Sequence, residues 1–157
     1  PRVNILQPGC GVGGHCIAVD PYFITASFPL ESKIIRAARE INNYKAFWCV
    51  EKIQNEILKF EVNNNRKPVI SICGLAFKPN IDDLRESPAL YIAEKVIQSH
   101  SAELTFIVEP NIDKHDFFEI TPFEIANEKS DICFFLVAHK EFKGKQNKKN
   151  VFFTNVI

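Results

Sequence analysis

A thiol set just after a glycine-rich turn is the first feature of this chain that could do chemistry. Gly9-Cys10-Gly11-Val12-Gly13-Gly14 runs into His15 and Cys16, and Asp20 follows shortly after. Glycines let backbone N–H groups come close to a ligand. A cysteine presented there, with a carboxylate nearby, suits covalent catalysis on a carbonyl carbon. A tight turn holding an incidental buried cysteine competes with that reading, and spacing alone leaves both open. His15 adjoins Cys16 in the chain, an awkward place for its base, and reads as structural or substrate-facing. The same run matches G-x-G-x-x-G, the dinucleotide fingerprint. That motif must open a helix whose N-terminus faces a pyrophosphate. Pro21 stands where such a helix would run, so the context does not support it.

A second constellation runs from Gly74 to Pro88, GLAFKPNIDDLRESP. Lys78 and Arg85 supply positive charge for a phosphate, and Phe77 offers a ring face for stacking. A solvated loop closed by ion pairs of Arg85 with Asp82 or Glu86 is the alternative. Lys143, Lys145, Lys148 and Lys149 form a basic run that reads as a solvated loop.

The elements that must position these residues fall into zones. Val3 to Leu6 is strand-like, and the Asp20-Pro21 step predicts loop or extended chain before it. Residues 29–61 read as one long helix, with Ile34, Ala38, Ile41 and Trp48 on one stripe. Phe47, Val50, Ile53, Ile57 and Phe60 continue it, as a core face or as an oligomer interface. Asn63-Asn64-Asn65 and Pro68 end that helix. Beyond it, Val69–Cys73, Leu104–Val108, Ile132–Ala138 and Val151–Val156 read as strands buried in a parallel sheet. Ser87-Pro88 opens a helix with Ser as N-cap, and Thr121-Pro122-Phe123-Glu124 predicts a capping box. Strands joined by helices of this length imply parallel pairing, hence an α/β fold with a small doubly wound sheet. The second constellation then lies at the carboxyl end of the first of these strands, where such sheets bind ligands.

Composition narrows the classes. The 157 residues carry 19 basic and 19 acidic side chains, which argues against a nucleic-acid partner. The longest apolar run, Ile132–Ala138, is far short of a membrane span, and no signal-peptide core is visible. Five cysteines without a Cys-x-x-Cys argue against a disulfide framework or a structural zinc site, and suit a reducing cytoplasm. Cys49, Cys73 and Cys133 read as small buried residues. The chain has no Met and begins at Pro1, as expected of the distal part of a longer protein.

PRVNILQPGCGVGGHCIAVDPYFI, followed by GLAFKPNIDDLRESPAL, resembles the UDP-glucose/GDP-mannose dehydrogenase family. The resemblance implies NAD-dependent oxidation of a nucleotide-sugar C6 alcohol to a carboxylate in two steps. It implies UDP-N-acetyl-D-mannosamine as the sugar, with N-acetylglucosamine or glucose nucleotides as sibling substrates, and surface polysaccharide synthesis as its use. Cys16 matches the family's nucleophile, which forms a thiohemiacetal and then a thioester. Asp20 matches an Asp that assists proton transfer or water activation. Arg2 and Gly13 match nucleotide-sugar contacts, Arg2 across a subunit boundary. Phe77 and Lys78 match contacts to the uridine diphosphate, and Arg85 a contact to NAD. Residues 1–66 then resemble the end of a central helical region whose 29–61 helix builds a homodimer. Residues 67–157 resemble a Rossmann-like UDP-sugar domain. Cys10 replaces the family's usual Pro, which would loosen the turn or bring a second thiol near Cys16. VFFTNVI departs from the family's usual ending. The NAD-binding half is not in this chain, so a non-catalytic UDP-sugar-binding or dimerisation fragment is the alternative function.

Overall fold

The computed structural model describes residues 7–145 and 150–154. The expected strand at Val3–Leu6, Arg2, Lys148, Lys149 and the end of the last expected strand lie outside them.

The first helix, α1 (Asp20–Ser27), corrects the reading of Asp20-Pro21 as a break. Pro21 occupies the first turn, where a missing N–H costs nothing and its fixed φ suits a helix. Pro29 then drives Phe28 out of helical geometry, to φ −132° and ψ 65°. The long helix therefore starts later than expected, as α2 (Lys33–Asn64). It ends at Asn65, whose φ of 53° forms a left-handed cap with its N–H bonded to Glu61 O at 2.8 Å.

Strand β1 (Ile70–Cys73) leads through the second constellation to α3 (Pro88–Ser99). Ser87 caps α3 as expected, its Oγ accepting from Leu90 N–H at 3.3 Å and donating to Leu75 O at 2.6 Å. Strand β2 (Thr105–Val108), helix α4 (Phe123–Lys129), strand β3 (Ile132–Phe135) and strand β4 (Asn150–Phe152) complete the order. The capping box does not form. Thr121 N–H donates to Ile107 O at 2.7 Å, extending the edge of the sheet, and no side chain caps α4. Strand β3 is shorter than its apolar run because the chain turns after Leu136 N–H reaches Cys73 O at 2.9 Å.

All strand pairs are parallel, in the order β2-β1-β3-β4. Ile70 stands opposite Thr105 on one side and Ile132 on the other. Helices cover both faces. Ile70, Ile72 and Phe134 meet Ile53 and Ile57 of α2 and Ile92 and Val96 of α3. Cys73, Cys133 and Phe135 meet Phe123 and Ala126 of α4, with Phe142. Each strand therefore sends alternate residues into two apolar layers, which is why these runs are continuously hydrophobic. The order reverses between β1 and β3, and the loops at their carboxyl ends flank that reversal.

The helical stripe divides in two. Ala46, Cys49, Ile53 and Ile57 are buried, whereas Ile34 is 85% exposed and Ile41 72%. Only the C-terminal half of α2 is a core face within the chain.

Candidate functional site

The glycine turn is fastened at three points. Cys10 Sγ donates to Leu136 O at 3.4 Å, Val12 N–H to Asn42 Oδ1 at 2.8 Å, and Gly14 N–H to Arg85 O at 3.1 Å. The first holds the turn to the chain leaving β3, the second to α2, and the third to the loop before α3. The two constellations, far apart in the chain, are thus one structure.

Close approach explains two of the glycines. A Cβ on Gly13 would stand 2.4 Å from Glu86 O and 2.7 Å from Phe77 Cβ. Gly14 adopts φ +90° with the Phe77 ring directly against it. The half-buried Phe77 ring is therefore a floor for the turn. Glu86 is held at φ 50°, a strained conformation for a residue with a side chain, and its carbonyl is the one that meets Gly13.

Cys16 is exposed at the end of this turn. Its carbonyl accepts from Val19 N–H at 2.9 Å and Asp20 N–H at 2.8 Å, so Cys16 and Asp20 bracket the turn that leads into α1. Arg85 pairs with Asp83 at 2.6 Å, rather than with Asp82 or Glu86 as the loop alternative expected. The Arg85 side chain and backbone N–H hold the Asp83 carboxyl down to about 2, and His15 assists. Lys78 is exposed, with Nζ 5.4 Å from the centre of the Phe77 ring.

Cys10 does not stand as a second thiol beside the exposed one. It is buried in the core, where a hydrogen bond with the Cys49 thiol, and burial, push its own thiol well above the ordinary range. Cys49, Cys73 and Cys133 are buried as expected. Lys145 is not simply solvated, since it pairs with Glu124. Among the described residues, no group of His, Cys, Asp and Glu is placed to hold a metal, and no helix is long and apolar enough to cross a membrane. A cavity of about 460 Å³ lies between Val12, Tyr22, Arg39, Asn42, Glu86 and Tyr91, and neither Cys16 nor Lys78 lines it.

Sequence reasoning missed two residues beneath this rim. Glu109 follows β2 and is 2% exposed, and His139, beyond β3, is fully buried. Burial pushes the Glu109 carboxyl up, but bonds from His139, Leu75 N–H and Asn111 N–H outweigh it and hold the group below its ordinary range. The available signal was position: each is a polar residue just past the carboxyl end of a buried strand.

The family model described as UDP-glucose/GDP-mannose dehydrogenase family, UDP binding domain, matches residues 71–156, and that of the central domain matches residues 1–44. The UDP-N-acetyl-D-mannosamine dehydrogenase of Escherichia coli K12 is 46% identical over 91% of this chain and 36% of its own length. That of Campylobacter jejuni is 46% identical over 98% of this chain and 38% of its own. The chain thus spans little more than a third of these relatives. A solved UDP-N-acetyl-mannosamine dehydrogenase from S. aureus superposes with a TM-score of 0.74 at 35% identity, covering 100% of this chain and 38% of that one. The chain belongs to the UDP-glucose/GDP-mannose dehydrogenase family and carries its UDP-binding domain.

Proposed function

We propose that this chain carries the nucleophile and the nucleotide-sugar site of an NAD-dependent dehydrogenase that oxidises UDP-N-acetyl-D-mannosamine to UDP-N-acetyl-D-mannosaminuronate. The observation that carries the reading is the bond from Gly14 N–H to Arg85 O, which puts exposed Cys16 and the Phe77–Lys78 loop on one rim. The names of the 46% identical relatives support the choice of sugar. In this reading residues 1–66 end a central helical region and residues 67–157 are the UDP-sugar domain. The matches at 1–44 and 71–156 support that division.

Lys78 meets the diphosphate as a point charge, and Phe77 and Gly13 shape the floor beneath it. Arg2 joins the nucleotide sugar from a neighbouring subunit. The Cys16 thiolate adds to the C6 aldehyde, and the carbonyl oxygen takes up a proton to give a thiohemiacetal. After that carbon is oxidised to the thioester, Asp20 takes a proton from the attacking water and the thiolate departs. NAD supplies the acceptor for the hydrides. The fit of this chain to NAD is a single contact, the exposed guanidinium of Arg85. The glycine turn is filled by Phe77 and Glu86 and offers the cofactor no cradle. The enzyme acts in the cytoplasm, in surface polysaccharide synthesis of the enterobacterial common antigen type. It is a homodimer built along residues 29–61, where Ile34 and Ile41 stand exposed.

The test joins this chain to an NAD-binding half and counts NADH against acid sugar. Two NADH per sugar are expected, and Cys16→Ala abolishes acid formation while UDP binding persists. Unchanged turnover by Cys16→Ala removes that residue from the mechanism. Calorimetry with the chain alone tests the binding function, and no affinity for UDP or its sugars marks a decayed, non-catalytic remnant.

A further inference from the structure

Residues from the three loops after β1, β2 and β3 meet in one network around buried Glu109 and His139 at the carboxyl end of the sheet. Glu109 Oε2 accepts from Leu75 N–H at 2.7 Å, Ala76 N–H at 3.1 Å and His139 Nε2 at 3.0 Å. Its other oxygen accepts from Asn111 N–H at 3.0 Å and Asn111 Nδ2 at 3.1 Å. His139 Nδ1 accepts from Asn80 N–H at 3.0 Å and lies 2.9 Å from Asn111 Nδ2. A backbone N–H can only donate, so Nδ1 is the acceptor and the imidazole proton sits on Nε2, pointing at Glu109. Asn80 Oδ1 in turn accepts from Lys140 N–H at 2.8 Å.

These bonds bracket one short segment. Leu75 and Ala76 precede Phe77-Lys78-Pro79, and Asn80 follows it. Both ends of the segment are thus tied to the same Glu–His pair, and only the three residues between them are free of it. A buried carboxylate and a buried imidazole contribute less to stability than apolar side chains of the same volume, so their presence calls for a use. Apart from His139, every donor to Glu109 is in the loops after β1 and β2. We infer that Glu109 and His139 are positioning residues that set where Phe77 and Lys78 stand, and thereby how tightly the chain holds a nucleoside diphosphate. This rests on the reading of Lys78 as a diphosphate contact.

The experiment is titration calorimetry of the full chain with UDP, below the unfolding temperature of each variant. His139→Gln keeps an N–H toward Glu109 but offers Asn80 N–H no acceptor. Asn80→Gly tolerates the φ of 62° and removes only the bond from Lys140 at an exposed position, so it preserves the fold. Each is expected to weaken UDP roughly threefold to tenfold, the worth of one hydrogen bond. Lys78→Ala weakens UDP on its own. In the Lys78→Ala background, His139→Gln should cost nothing further, because its effect acts through Lys78. A purely stabilising network gives independent losses in that double variant, or leaves both single variants within twofold of wild type. Either result overturns the inference while the Lys78 reading stands. Unchanged binding by Lys78→Ala, or no binding by the wild-type chain, overturns the reading and the inference together.

Discussion

Gly13→Ala tests how the glycine turn is held against the second loop. The new Cβ would lie 2.4 Å from Glu86 O, 2.7 Å from Phe77 Cβ and 2.8 Å from Pro88 Cδ. None of these is the free end of a flexible chain: one is backbone, one is the root of a half-buried ring, and one is a proline ring at a helix start. Ordinary contact needs a separation nearer 3.4 Å. Turn and loop must therefore move apart by about an ångström, at an overpacking cost of about 3 kcal/mol. For a chain of this size that lowers Tm by roughly 6–12 °C. Gly9→Ala is the control, because nothing lies within 4 Å of its Cβ position. It should leave Tm unchanged or raise it slightly, through a less flexible unfolded chain. Thermal unfolding followed by circular dichroism reads both. If Gly13→Ala melts within a degree of wild type, the turn does not rest on Glu86 and Phe77, and the shared rim fails with it.

Glu109→Gln should destabilise by about 3 kcal/mol at pH 7, because an amide cannot accept all the donors around it. The depressed Glu109 value means its contribution is present above pH 4.5 and is lost as pH falls through the folded value. The gap between wild type and Glu109→Gln in urea midpoint should accordingly shrink toward acid, and a constant gap would contradict the buried charge. Asp83 should titrate near 2 by NMR and return toward 3.8 in Arg85→Ala, and an unmoved titration would mean the pair does not form in solution. Ile53→Ala, at a fully buried site, should cost about 2–5 kcal/mol by denaturant unfolding. If the proposed homodimer forms along residues 29–61, Ile34→Ser should leave the monomer's stability within about 0.5 kcal/mol and shift sedimentation toward monomer. An unchanged dimer would move the subunit interface away from that end of α2.

What the sequence made legible follows from how local each signal is. The strands were readable because burial on both faces demands unbroken apolar runs, as at Val69–Cys73 and Ile132–Ala138. Ser87-Pro88 was readable because a cap needs only its own helix. Thr121-Pro122 carried the same kind of signal and misled, since a distant partner, Ile107 O, took its N–H. Pro21 misled in the opposite sense. A proline excludes helix behind it and favours helix ahead of it, and composition does not say which side matters. The stripe on α2 could not be divided from sequence either, because Ile34 and Ile53 are chemically equal. Which of them meets β1 depends on where the helix emerges from the sheet.

The candidate site shows the same limit at higher stakes. Cys16 and Lys78 were named from two motifs, but their relation is set by bonds that neither motif contains. Asn42 holds Val12, Arg85 O holds Gly14, and Glu109 holds Leu75 and Ala76. Several of these partners are backbone groups, whose donors and acceptors every residue carries, so no residue type announces them. Glu109 and His139 stand past β2 and β3, the strands on either side of β1, and only the strand order brings these two side chains together. That order is a property of the whole sheet. The chemistry of this rim was therefore readable residue by residue, while its geometry belongs to a topology in which β1 lies between β2 and β3. Moving either neighbour would separate Glu109 from His139 and release the loop between Ala76 and Asn80.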